Sequence, residues 1–169
     1  MDFKTFKVGE LFDVIKQGRR LKKDDRLAGN IPFITAGGFN QGVSDYVDNP
    51  IACYEGNSLT IDMFGNVFVH QGMYGFDDNI VVYAFNDNVS IDVYLYLATV
   101  IQKVVNSRFS YGKQFRASAN LDLELTLPVT PDGTPDWDAM AKLQTIFTKL
   151  AIQDLRADLD TKLAELQAL

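Results

Sequence analysis

Asn57-Ser58-Leu59-Thr60-Ile61, the turn pair Gly65-Asn66, the return Val67-Phe68-Val69 and then Asn79 to Phe85 (NIVVYAF) form the stretch that decides the fold. The first and third runs read as strands because β-branched and aromatic side chains suit a pleated, half-buried surface. Gly-Asn between them supplies a turn, and NIVVYAF reads as the next strand. Short strands broken by Gly, Asn and Asp, with no helical pattern between them, predict a twisted, mostly antiparallel sheet. Regular strand–helix alternation would instead signal a parallel one.

Outward from that centre, Asp92 to Val105 (DVYLYLATVIQKVV) is mostly apolar over fourteen residues. Its β-branched content suits either state, and its length favours a buried helix. Leu121 to Val129 alternates apolar and polar residues, as an edge strand closing at Pro128. On the N-terminal side, Ile31-Pro32-Phe33-Ile34-Thr35 is a β-type run in which Pro32 favours an edge. Gly37, Gly38 and Gly42 bracket Phe39-Asn40-Gln41 in a turn-rich loop. Phe6 to Gly18 reads as a short helix or an extended lead-in, with Val8, Leu11, Phe12 and Ile15 at helical spacing.

Pro131-Asp132-Gly133-Thr134-Pro135-Asp136 is the clearest punctuation, and composition changes after it. Residues 1–133 are therefore expected to form a globular α+β domain, and 134–169 a long helix. From Trp137 to Leu169 there is no Gly or Pro, and Thr134 before Pro135 reads as an N-cap. About 30 helical residues run about 45 Å. Met140, Leu143, Phe147 and Leu150 step by three and four, a face suited to packing on the domain or a partner. Ile152, Leu155, Leu159, Leu163 and Leu166 continue in a shifted phase, as a coiled-coil seam would.

With 47% hydrophobic residues the chain can bury a real core. One cysteine, Cys53, and one histidine, His70, exclude a disulfide framework and leave too few ligands for a protein-built zinc site. No charged-then-apolar leader opens the sequence, and no run nears the roughly 18 apolar residues of a membrane span. A cytoplasmic protein that does not enter membranes is expected. Net charge is −6, yet ten of the sixteen basic residues lie in two windows. The first holds Lys16, Arg19, Arg20, Lys22, Lys23 and Arg26; the second holds Lys103, Arg108, Lys113 and Arg116. No Lys or Arg stands between Leu27 and Gln102. Such segregation fits two basic edges on an acidic body, with nucleic acid on one face. Two solvated charged loops are the plain alternative.

No active site assembles from the sequence. Gly37 to Gly42 lacks the lysine of a phosphate loop and matches no dinucleotide fingerprint. No Asn/Asp-Pro-Pro-aromatic tetrapeptide of an amino-methyltransferase is present. Cys53 sits in an apolar context that suggests a buried small hydrophobe rather than a nucleophile paired with His70. Asp77-Asp78 and Asp132, Asp136 and Asp138 read as turn and cap residues, and Asp62 as support for a hairpin turn. A non-enzyme without cofactor or metal is expected.

Several segments in order resemble the target-recognition domains of type I restriction–modification specificity subunits and their type II relatives. They are Phe6 to Arg19 (FKVGELFDVIKQGR), Gly29 to Ala36 (GNIPFITA) followed by Asn40-Gln41-Gly42-Val43, and Asn57 to Phe68 (NSLTIDMFGNVF). Tyr111-Gly112-Lys113-Gln114-Phe115 and Leu127-Pro128-Val129 ahead of Asp136-Trp137 complete the series. The resemblance implies a non-catalytic reader of one half of a split double-stranded DNA target, serving a methyltransferase subunit docked on long helices. One domain and one helix make about half the usual length. That suits a half-subunit that pairs as a homodimer through its helix, a truncated form or a degenerate copy.

On this reading Arg19, Arg20, Lys22 and Lys23 clamp phosphates and set register. Arg108, Lys113 and Arg116 mix with Tyr111 and Gln114 in the second loop. Gln114, Arg116 and Asn40 or Gln41 are the candidate base readers, since Arg pairs with guanine and Gln or Asn with adenine. Asn40, Gln41 and Tyr111 could equally serve their own turns. Leu143, Phe147, Leu150, Leu155, Leu159, Leu163 and Leu166 are the candidate helix contacts. The competing class is an acidic interaction module that inhibits a restriction–modification partner or mimics DNA.

Overall fold

The computed structural model describes residues 1–106 and 108–167. Ser107 of the second loop and the last two residues of the expected helix lie outside them. In chain order the elements are β1 (Asp2–Lys7), α1 (Val8–Leu11), β2 (Val14–Gln17), β3 (Ala28–Ile34), β4 (Val43–Val47), β5 (Cys53–Glu55) and β6 (Ser58–Asp62). There follow β7 (Val67–His70), β8 (Met73–Phe76), β9 (Ile80–Ala84), α2 (Ile91–Val105), β10 (Glu124–Val129) and α3 (Trp137–Gln167).

The strands form three sheets rather than one: β2-β9-β6-β7, β4-β3-β8-β5 and the ladder β1-β10. All pairings are antiparallel except β3 with β8. β9 explains its own unbroken apolar sequence, because the first sheet is covered on both faces. Val81 and Tyr83 enter the main core, while Ile80 and Val82 enter a second core against Ile34, Tyr74 and Phe76 of the other four-stranded sheet. Alternate residues of a strand point to opposite faces, so a strand buried on both faces is apolar throughout. β6 shows the polar version of the same burial. Leu59 and Ile61 join the main core, while Ser58 Oγ meets Tyr74 Oη at 2.7 Å and Thr60 Oγ1 meets His70 Nε2 at 2.9 Å.

α2 closes the main core with Val93, Leu97, Ile101 and Val105, all buried, and packs on β6, β7, β10 and α3. Each such side chain contributes roughly 1.5–3 kcal/mol by leaving water. Gln102 locks the helix to the β6–β7 hairpin: its Oε1 accepts from Val67 N at 3.0 Å and its Nε2 donates to Gly65 O at 2.9 Å.

Four local expectations are corrected. Phe6 to Gly18 is two strands around a single helical turn, in which Val8, Leu11 and Phe12 turn inward together. β3 is central, not an edge; Pro32 is tolerated because the parallel ladder to β8 begins only at Phe33. The α3 cap is Asp136, whose Oδ1 accepts from Ala139 N at 2.9 Å, two residues beyond the expected Thr134. Cys53 is exposed despite its apolar neighbours. The strands β1, β4, β5 and β8 have no counterpart among the runs that the sequence marks as strands.

α3 runs 31 residues. Met140 is buried, and Trp137, Ala141 and Leu143 pack partly against the main core. From Ile146 onward every described helical residue is exposed, including Phe147, Leu150, Ile152, Leu155, Leu159, Leu163 and Leu166. Among the described residues no helix is long and apolar enough to cross a membrane.

Candidate nucleic-acid interface

The turn Asp77-Asp78-Asn79 between β8 and β9 gathers the two basic windows. From the first, Gly18 passes so close that a Cβ there would stand 1.9 Å from Asp77 O, so only glycine fits. Leu21 N then donates to Asp77 Oδ1 at 2.9 Å, and Arg20 Nη1 lies 3.7 Å from Asp77 Oδ2 and 3.5 Å from Asp78 Oδ1. From the second, Arg116 Nη1 donates to Asp78 O at 2.8 Å and its Nη2 to Gln114 Oε1 at 2.5 Å. Gln17 bridges the windows, with Nε2 donating to Asp78 O at 2.6 Å and Oε1 accepting from Ala117 N at 3.3 Å.

The same turn holds the glycine-rich loop. Asn79 Oδ1 accepts from Ala36 N at 3.2 Å, and Asp77 N donates to Ile34 O at 3.0 Å. Asp62, only 2% exposed, ties this loop to the β6–β7 hairpin. Its Oδ1 accepts from Phe64 N at 2.8 Å and Asn66 N at 2.9 Å; its Oδ2 accepts from Asn66 Nδ2 at 2.8 Å and Gly37 N at 2.9 Å. Met63 adds a strut to each side, donating to Asn79 O and accepting from Phe115 N, both at 2.9 Å. The hairpin, the glycine-rich loop, the acidic turn and the Gln17–Leu21 and Gln114–Ala117 parts of the two basic windows are thus linked by hydrogen bonds and ion pairs.

The candidate residues divide by how their polar atoms are used. Arg19, Lys22, Lys23, Arg108 and Lys113 are exposed and form no ion pair among the described residues. Arg26 is structural: it stacks on Phe33 at 4.7 Å and pairs with Asp45 at 3.6 Å. Asn40 turns its amide inward, Nδ2 donating to Val43 O at 3.2 Å. Gln41 is exposed and lines a groove of about 740 Å³ with Asn66, Gln102, Lys103, Asn106 and Gln144. Tyr111 is 81% exposed. Lys103 therefore lies on the groove wall, apart from the rest of its window. Gln17, Asp62 and the Asp77–Asn79 turn are organisers that sequence reading missed or took for isolated turn residues.

Among the described residues no group of three His, Cys, Asp or Glu side chains is placed to hold a metal. Cys53 and His70 belong to different sheets, one exposed and the other bonded to Thr60. Burial pushes the His70 pKa down to about 4.

This combination of sheets, basic edges and a projecting helix defines a class. Residues 1–156 match the type I restriction modification DNA specificity domain, and the chain belongs to that family. Among relatives it is similar to the type II restriction enzyme specificity subunit S.BcgI of Heyndrickxia coagulans, 31% identical over 146 residues, covering 83% of this chain and 42% of that one. The S subunit of a type I restriction–modification system from M. genitalium shares the fold with a TM-score of 0.65 at 16% identity, covering 94% of this chain and 42% of that chain. A chain from another type I system aligns with a TM-score of 0.68 at 12% identity, covering 97% of this chain and 43% of its own. The HsdS subunit of Thermoanaerobacter tengcongensis gives 0.58 at 11% identity, covering 89% and 38%. The chain thus spans less than half the length of these relatives.

Proposed function

We propose that this chain is a DNA-specificity component of a restriction–modification system, with residues 1–133 reading one half of a split duplex target. The helix of residues 134–169 joins it to a second copy and to a methyltransferase subunit, which supplies the chemistry. The carrying observation is the convergence of Arg20 and Arg116 on the Asp77–Asp78 turn beside the glycine-rich loop. Parts of two cationic windows from an otherwise acidic chain meet at one turn, and clustered cations are what a phosphate backbone requires.

Among the candidate residues the roles separate. Arg19, Lys22, Lys23, Arg108 and Lys113 are free to clamp phosphates, and Arg20 flanks them across the acidic turn. Arg116 spends two donors inside the protein and positions Gln114, whose amide nitrogen gives one hydrogen to Tyr111 O at 3.4 Å and keeps the other for a base edge. Gln41 is the better reader of its loop, because Asn40 closes its own turn. Tyr111 lies flat against the backbone or a sugar.

The test is selection from a random duplex pool by the chain with its methyltransferase subunit, comparing wild type with the R19A/K22A/K23A/K113A variant. Wild type is expected to enrich a discrete motif and the variant none. A wild-type pool without enrichment overturns the reading.

A further inference from the structure

Phe39 is 91% exposed at the tip of the glycine-rich loop. The loop beneath it is firmly held: Thr35 N donates to Gly42 O at 2.9 Å and Gly42 N to Phe39 O at 2.8 Å, beside the Asp62 and Asn79 ties. Asn40 and Gln41 have φ of 49° and 52°, a left-handed conformation that costs non-glycine residues energy. This strained turn directly follows the bare ring of Phe39. Gly37 and Gly38 add an independent observation. Neither has a positive φ; a Cβ on Gly37 would meet nothing within 4 Å, and one on Gly38 only Asn66 Oδ1 at 3.9 Å. The fold itself does not demand glycine at either position. Without side chains at these two positions the backbone is bare to another molecule's close approach. The second loop repeats the pattern, with Tyr111 81% exposed beside Gly112, whose Cβ would also meet open space.

We propose that Phe39 is a wedge that enters the DNA base stack at one step of the target, with Gly37 and Gly38 letting the loop backbone come against the phosphodiester. The inference rests on the DNA-reading function above. The partner at this tip is DNA because the loop base is bonded to the same Asp77–Asn79 turn that anchors Arg20 and Arg116. A phosphate track over those cations brings the duplex to the loop. Apolar wedges between base steps unstack them and kink the helix by about 20–90°, and flexible pyrimidine–purine steps yield most readily. Phe39 would thus add specificity through deformability rather than through a hydrogen bond.

The experiment uses the chain with its methyltransferase subunit and the duplex enriched by the selection above, with 2-aminopurine placed in turn at each adenine in and beside the motif. Wild type should raise fluorescence at one step. Phe39→Ala should abolish that rise and weaken binding about tenfold to a hundredfold, with unchanged melting temperature, while Phe39→Leu keeps both. Gly37→Ala and Gly38→Ala should leave melting unchanged and weaken binding. A motif-reading wild type whose affinity and fluorescence pattern survive Phe39→Ala overturns the wedge and leaves the DNA-reading function standing. Loss of the methyltransferase subunit from Phe39→Ala, with the fluorescence pattern intact, assigns the ring to a protein contact and also overturns it. Failure of wild type to enrich any motif removes the underlying function itself.

Discussion

Asp62 is the residue through which the architecture of the interface can be tested without any DNA. Its buried carboxylate accepts four hydrogen bonds, two at each oxygen. Asp62→Ala leaves four backbone or side-chain donors without their acceptor: Phe64 N, both nitrogens of Asn66, and Gly37 N. A buried donor stripped of its partner costs about 1–3 kcal/mol. Phe64 is exposed and Gly37 and Asn66 are half-buried, so water replaces part of the loss. The low end for each bond gives about 3–4 kcal/mol in total, or a fall in Tm of roughly 6–16 °C for a domain of this size. Asp62→Asn separates the two sides. If its oxygen stays at the Oδ1 position, the hairpin bonds to Phe64 N and Asn66 N survive. The new amide nitrogen then faces Gly37 N–H and the Asn66 amide, donor against donor, and costs about half as much. Amide hydrogen exchange reads the difference: protection at Gly37 should vanish while Phe64 and Asn66 stay protected. Urea denaturation gives the energies. Stability of Asp62→Ala within about 0.5 kcal/mol of wild type, the range of ordinary surface changes, would refute the reasoning. So would equal loss of hairpin and loop protection in Asp62→Asn.

His70 makes stability depend on pH in a defined window. The folded group titrates near 4 and the unfolded one near 6.5, so the unfolded chain binds more protons between those values. Stability is intact above about pH 6.5 and drops by about 3 kcal/mol as pH falls toward 4; the difference between wild type and His70→Gln in urea titrations isolates it. Met140→Ala should cost about 2–5 kcal/mol, as core truncations do. Leu155→Glu with Leu159→Glu should leave thermal stability of the globular part alone and turn a dimer into a monomer in light scattering. A wild type that is monomeric throughout removes self-pairing. Lys22→Ala and Lys23→Ala should each lower the slope of log binding constant against log salt by about 0.9, measured by fluorescence anisotropy; an unchanged slope takes them off the phosphate track.

What the sequence disclosed follows from how local each signal was. NIVVYAF, the Gly65-Asn66 turn and the gap-free helix after Trp137 carry their meaning within a few residues, so strand, hairpin and helix were readable. β5 and β8 are three and four residues long and gain their identity from pairing with each other across a loop. Neither Cys53-Tyr54-Glu55 nor Met73-Tyr74-Gly75-Phe76 has the β-branched residues that mark Val67-Phe68-Val69 as a strand. The basic windows were visible as clusters, but not that Arg116 would donate to a carbonyl 38 positions away and Arg20 pair with carboxylates 57 and 58 positions away. Those partners are the reason the proposal gives Arg116 the task of positioning Gln114. Phe39 stood in view within a turn-rich loop, and nothing in the sequence says that its ring is bare. Cys53 reads as buried from its apolar neighbours and is exposed, because it lies on a short strand whose pairing the sequence does not show.

The central claim is that this chain chooses the DNA sequence on which a partner acts. Methylation sequencing of genomic DNA exposed to the chain together with its methyltransferase subunit tests it most directly. The account predicts a single split motif with two recognised halves, methylated only when the chain is present and lost in the R19A/K22A/K23A/K113A variant. Methylation of the same sites with and without the chain, or none in a stable complex of the two, would contradict it.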